Sequence, residues 1–202
     1  MAIAHLRVFP TPPTPAPGPW RAADVERFPD DGYQYEIWHG ELVRMAPAGG
    51  RHGEIEANLV AALRVQLHAL GRAYTGDTGF LLGQDPDELV SPDVAFVRHD
   101  RLPSVEKRRR YLRVVPDLVV EIRSPNDEEA DVQAKLQLYV SRGVPLIWSV
   151  DPRSQTVDEL RQIGEPTGRT LEGRRLAEHS DDVLENAAVL PGFRLSVHDV
   201  FA

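Results

Sequence analysis

Pro116-Asp117-Leu118-Val119-Val120-Glu121-Ile122-Arg123-Ser124-Pro125 contains the most strand-like run in the chain. Leu118 to Ile122 is so apolar and β-branched that it belongs in the centre of a sheet, covered on both sides. Side chains alternate between faces along a strand, which puts Asp117, Val119, Glu121 and Arg123 on one face and Leu118, Val120 and Ile122 on the other. A charged pair therefore interrupts a segment that should be buried.

Toward the C-terminus, Glu128 to Ser141 carries Val132, Leu136, Tyr139 and Val140 at helical spacing, and Gly143 can end that helix. Pro145 to Val150 reads as another buried strand, with Thr156 to Ile163 as its hairpin partner. Toward the N-terminus, strands are expected at Asp93 to Val97 and Ala73 to Leu82. An amphipathic helix is expected from Gly53 through Leu70, capped by Gly71. Tyr33 to Trp38 and Glu41 to Ala46 flank His39-Gly40 and form a tight hairpin, in which no residue needs a chemical role. The prolines at 10, 12, 13, 15, 17 and 19 forbid helix and describe an extended arm over residues 1–19. The expected architecture is α/β in the broad sense, a mixed α+β domain over residues 20–202. Its mixed sheet is flanked by helices and preceded by a β-hairpin. Trp20, Trp38 and Trp148 serve as packing anchors.

The 202 residues suit one domain, and 42% hydrophobic with 27% charged residues is ordinary globular usage. With no cysteine, disulfides, thiolate nucleophiles and Cys-bound metals are excluded, leaving carboxylates, histidines and water as metal ligands. No signal-peptide pattern and no membrane-length apolar run is present, so a cytoplasmic protein without membrane contact is expected. The formal charge of -8 argues against general polyanion binding, and a nucleic-acid role requires a local basic face. Lys107 to Arg110, with Arg113, is the only concentrated positive segment. It could contact phosphates, or it could be a solvated loop; no interleaved aromatic residues indicate base stacking.

Glu121 and Arg123 lie roughly 6 to 7 Å apart along a strand and can serve one site, whereas Asp117 is about 13 Å from Glu121 and too far to share a metal with it. A carboxylate at a strand end, a second on a neighbouring strand and a nearby cation meet the needs of metal-assisted phosphodiester hydrolysis. Two carboxylates can hold a hard cation such as Mg²⁺ (or Mn²⁺), with water completing its shell. Arg123 cannot act as a base, so Lys135 is the better candidate for positioning the attacking water.

The ordered pieces are Ser91-Pro92-Asp93-Val94, then Pro116 to Pro125 with its Glu-x-x-Ser-Pro, then Lys135-x-x-x-Tyr139-x-x-x-Gly143-Val144, then Ile147-Trp148-Ser149-Val150-Asp151-Pro152. Together with Tyr35 to Met45, His52 and Leu190 to Leu195, this order resembles the Uma-two family of restriction-endonuclease-like proteins, within the PD-(D/E)XK nuclease superfamily. The resemblance implies a DNA endonuclease with Asp93 and Glu121 as metal ligands and Lys135 as a catalytic lysine displaced onto the following helix. Arg123 stands where the superfamily more commonly has that lysine, and is kept as a catalytic candidate. The superfamily often takes a further acid from its first helix; Glu56, at the edge of the apolar stripe, is the choice over Glu54, and His52 could approach the same site. Lys107, Arg108, Arg109 and Arg110 are the nucleic-acid candidates, and pairing of two copies is a further implication.

Competing readings use the same residues. Asp93 could simply accept backbone N–H groups at a strand start. Glu121 could form a structural ion pair with Arg123. Lys135 could pair with Asp131 one helical turn away. His52 could be a hydrogen-bonded histidine, and Asp117 could organise the entry of its strand. At the level of function, a catalytically silent nuclease-derived binding or oligomerisation module, or a hydrolase of a small phosphoester, remains compatible with the chain.

Overall fold

The computed structural model describes residues 18–29, 31–45, 47–125, 127–163 and 170–202. Most of the Pro-rich arm therefore lies outside the described residues, as does Ala46 at the end of the expected hairpin.

The central element is β7, Leu118–Ile122, with the bounds read from the sequence. Its neighbours are β8 (Leu146–Asp151), which runs parallel to it, and β6 (Val94–Arg98), which is antiparallel. Outward from these lie β9 (Thr156–Ile163) and β10 (Thr170–Ala177) on one side and β3 (Gly71–Thr75) on the other. The result is a six-stranded mixed sheet of order β10-β9-β8-β7-β6-β3. A helix, α3 (Glu129–Ser141), crosses from β7 to β8, as parallel pairing requires.

Alternation along β7 sorts the core into two layers. Leu118, Val120 and Ile122 face α2 (Gly50–Leu67), which contributes Ile55, Leu59 and Leu63. Val119 faces α3, beneath Leu136 and Tyr139. Each fully buried Val, Leu or Ile stabilises the fold by about 1.5–3 kcal/mol. The layers therefore fix the register: a one-residue slip would turn both sets outward.

The expected N-terminal hairpin forms from β1 (Gln34–Trp38) and β2 (Glu41–Met45), with His39 at φ 53° and Gly40 at φ 83°, the left-handed pair a two-residue turn needs. It does not stand alone. β5 (Glu88–Val90) pairs with β1, and β4 (Phe80–Gly83) pairs with β5, giving a second sheet of order β2-β1-β5-β4. Phe80 and Val90 of this sheet pack into the α3 layer, while Ile37, Leu81 and Leu89 face a short α1 (Ala22–Val25). A C-terminal pair, β11 (Val183–Asn186) and β12 (Leu190–Ser196), together with α4 (Val197–Phe201), closes the α2 layer.

Two local expectations are corrected. The segment Ala73 to Leu82 is not one strand: it breaks at Gly76 to Gly79, and its halves join different sheets. Gly71 is not a helix cap. The helix ends at Leu67, and Gly71 opens β3, where a Cβ would collide with the Val97 carbonyl and the Phe96 ring.

Candidate active site

The three pieces of secondary structure read from the sequence meet at the C-terminal end of β7. Because β6 runs antiparallel, its beginning lies beside that end, and Asp93 immediately precedes it. Asp93 Oδ2 accepts the Ile122 backbone N–H at 2.6 Å, which ties the acid to β7. This is the backbone role that a post-proline aspartate often plays. Its other oxygen, Oδ1, remains 2.9 Å from His52 Nε2. The helix α2 begins three residues earlier than expected, so His52 sits inside its first turn rather than before it. His52 Nδ1 is buried without a partner.

Glu121 projects from the α3 face of β7. Its Oε2 accepts a bond from Lys135 Nζ at 2.9 Å and its Oε1 from the Tyr139 hydroxyl at 2.5 Å. Lys135 and Tyr139 are four residues apart on α3 and so stand on one helix face. Lys135 Nζ is also 3.1 Å from Glu36 Oε1. Glu36 comes from β1, is 1% exposed, and is fixed by the Ser91 backbone N–H at 2.8 Å and Trp38 Nε1 at 2.6 Å. The hairpin is thus part of the site, contrary to the expectation that it stands apart.

Glu56, one turn along α2 from His52, accepts the Gly76 N–H at 3.2 Å. Asp93, Glu121, Glu56, His52, Glu36 and Lys135 line one cleft of about 800 Å³, with Trp38 on its wall and Arg123 at its edge. Arg123 does not pair with Glu121. Its guanidinium bonds Glu129 at 2.7 Å and approaches Ser149 Oγ at 3.4 Å, so the structural Glu121–Arg123 ion pair is not formed. Lys135 likewise turns inward to carboxylates on the sheets, not to Asp131. Asp117 lies at the far end of β7, where it accepts the Arg98 N–H and pairs with Arg101, organising the strand entry. Lys107 to Arg110 lie outside the cleft, in and after an exposed 3₁₀ turn, Glu106–Arg109.

Burial and the gathering of acids around one ammonium shift the proton affinities of Glu121, Lys135, His52 and Glu56. Burial, with Asp93 and Glu36 nearby, pushes Glu121 up to about 8, although Lys135 and Tyr139 oppose the shift. Burial alone would lower Lys135, but Glu121, Glu36 and Asp93 together hold it above its ordinary value. Burial also disfavours the His52 cation, and its bond to Asp93 with the charges of Asp93, Glu56 and Glu121 outweighs that, raising it. Glu56 is raised by burial and by Asp93, against the Gly76 bond. At neutral pH the cluster therefore holds more protons than the same residues free in water, and Lys135 is a cation rather than a base.

Among the described residues no three His, Asp or Glu side chains form a closed ligand cluster. The chemistry nevertheless fits a hard cation. Asp93 and Glu121 each accept one bond per oxygen, and a carboxylate has about four lone-pair sites, so both retain acceptor capacity toward the cleft. Oxygen donors with space for water suit Mg²⁺ or Mn²⁺. Glu36 and Tyr139 were not singled out for chemistry in the sequence. The available signals were the alternation that puts Glu36 on one face with Trp38 in a short strand, and the Lys-x-x-x-Tyr spacing on α3.

A mixed sheet carrying an acid before one central strand, a second acid late in the next and a lysine on the crossover helix defines a restriction-endonuclease-like nuclease fold. A family model, Uma2, described as "Putative restriction endonuclease", matches residues 22–198, and the chain belongs to that family. A crystal structure from Anabaena variabilis, titled as "a putative nuclease belonging to DUF820", superposes with a TM-score of 0.74 over 91% of this chain and 98% of its own, at 21% identity. At that identity the likeness speaks to the fold. No curated protein matches. None of the described helices is long and apolar enough to cross a membrane.

Proposed function

We propose that this chain is a Mg²⁺-dependent DNA endonuclease hydrolysing phosphodiester bonds, with Mn²⁺ able to substitute. The observation that carries the reading is the convergence of Asp93, Glu121, Glu56 and Lys135 on one open cleft. Asp93 and Glu121 would hold the cation, with Glu56 as a third acid reaching it directly or through water. When bound, such a cation polarises a phosphate and lowers the pKa of a coordinated water.

The chain's own residues supply the rest. Lys135, kept charged between Glu121 and Glu36, offers a fixed positive charge against the phosphate and a donor that orients a water. Tyr139 and Lys135 lock the Glu121 carboxylate in one rotamer, and the Ile122 N–H does the same for Asp93. His52 orients Asp93 through Nε2. Arg123, at the cleft edge, can neutralise charge on the phosphate once it leaves Glu129.

The test is relaxation of supercoiled plasmid in Mg²⁺ or Mn²⁺ by the native chain, Glu121→Gln and Asp93→Asn. Native cleavage lost in both variants is the expected result, and equal cleavage by all three would reject the assignment. One observation favours a second reading, a silent nuclease-derived binding module: each cleft carboxylate is already held by internal donors. Calorimetric titration with Mn²⁺ separates the two, since binding abolished by Asp93→Asn supports the metal site and no binding by the native chain supports the module.

A further inference from the structure

The basic segment takes no part in the cleft chemistry, yet the fold holds it firmly beside that cleft. Leu112, just beyond it, is 1% exposed and is clamped to β4: its N–H donates to Gly79 O, and Leu81 N–H donates to Leu112 O, both at 2.9 Å. The Tyr111 ring packs onto Gly79 so closely that a Cβ there would meet it at 2.5 Å. The turn that receives this clamp also borders the site, because Gly76 N–H bonds Glu56 and Gln34 bonds both Gly76 O and Asp77. Asp77 lines the catalytic cleft on one side and, on the other, a hollow of about 520 Å³ walled by Arg108, Arg109 and Arg110.

The charges of this ridge are unusual for the molecule. Elsewhere arginines are commonly ion-paired, as in Arg101–Asp117, Arg142–Glu88, Arg174–Glu159 and Arg175–Asp158. Within the ridge Arg110 pairs with Glu26 at 2.7 Å, but among the described residues Lys107, Arg108, Arg109 and Arg113 have no carboxylate at ion-pair distance. Arg108 Nε is buried with no acceptor at all. In a chain of net charge -8 these four cations, three of them consecutive, thus have no carboxylate partner among the described residues, in a segment whose hollow shares Asp77 with the acidic cleft. Self-repulsion opposes such clustering unless a polyanion relieves it.

We infer that Lys107, Arg108 and Arg109 form a ridge that contacts the phosphate backbone of duplex DNA whose scissile bond lies in the Asp93–Glu121 cleft. The inference rests on the phosphodiesterase reading and narrows its substrate: one phosphate cannot occupy cleft and ridge together, whereas a polymer with a charge every ~3.4 Å per strand can. A small phosphoester is thereby disfavoured.

The test is fluorescence anisotropy of a short labelled DNA duplex against salt, in EDTA, with the full chain. Lys107→Gln/Arg109→Gln removes two exposed, unpaired cations. Arg64→Gln/Arg194→Gln removes the same charge elsewhere on the surface, and melting curves verify that both variants fold. For the ridge variant the slope of log K against log salt should become shallower by about 2, at about 0.9 per phosphate contact, with affinity falling about tenfold or more at moderate salt. The control variant should keep the native slope. Equal slopes in the two variants, or no duplex binding by the native chain, would overturn the inference. Ridge-dependent binding without cleavage in Mg²⁺ would leave the ridge standing and remove only the catalytic reading.

Discussion

Lys135 is the hinge of the site at the scale of single residues. It is buried, and its ammonium is held by Glu121 at 2.9 Å and Glu36 at 3.1 Å. Removing one partner of a buried pair strands the others, at a cost of roughly 3–5 kcal/mol. Lys135→Met should therefore destabilise the chain by about that amount in urea titrations, and Glu36→Gln should destabilise it as well, because Ser91 N–H and Trp38 Nε1 bond different Glu36 oxygens and an amide, with one acceptor oxygen, can keep only one of them. A loss under about 1 kcal/mol for Lys135→Met would show that the three groups are not coupled.

A pH dependence follows from the same cluster. Glu121, at about 8, and His52 are both raised in the folded chain, so between their unfolded and folded values the folded state binds more protons. Stability of the metal-free protein must then fall as pH rises from about 4.5, where Glu121 of the unfolded chain ionises, to about 8, with His52 adding to the loss above about 6.5, by up to about 1.4 kcal/mol per pH unit for each proton of difference. Metal affinity should move the other way, with Mn²⁺ binding more tightly at pH 8.5 than at 6.5 and releasing protons. Calorimetry in buffers of different ionisation enthalpy measures both. Asp93, Glu121 and Lys135 were legible in the sequence because each sits at a position fixed by a predicted element. Glu36 was not, since its role depends on a second sheet folding over the first.

At the scale of elements, glycines show where local reading succeeds and where it fails. Gly143 was readable as a helix end. Its φ is 81°, its N–H bonds the Val140 carbonyl, and Val144 N–H reaches back to Tyr139 O, which closes α3 just after Lys135 and Tyr139. Gly143→Ala should cost about 1–2 kcal/mol through the left-handed strain alone. Gly71 looked like a cap of the same kind but is needed for close approach to Phe96 and Val97, a tertiary fact with no local signature. Gly71→Ala should cost more than Gly143→Ala, since the obstructing carbonyl belongs to a paired strand and cannot yield. Thermal melts of the two variants check the order. The break at Gly76 was missed for a similar reason: the apolar residues on either side continue, but they feed different sheets.

At the scale of the whole molecule, the six-stranded sheet supplies the paired acids, the crossover helix supplies the lysine, and the smaller sheet both charges that lysine and carries the turn to which the basic ridge is clamped. The large sheet was legible because its central strand is unmistakably apolar. The way the smaller sheet closes over it was not, because β5 is only three residues long and pairs with β1 across some fifty positions of sequence. Catalysis by this molecule requires that the acids these layers bring together cage a hard cation. Anomalous scattering from crystals soaked in Mn²⁺ tests this most directly. A peak between Asp93 and Glu121 in the native chain, absent in Asp93→Asn, is predicted; an empty cleft at saturating Mn²⁺, or a peak that ignores the substitution, would contradict it.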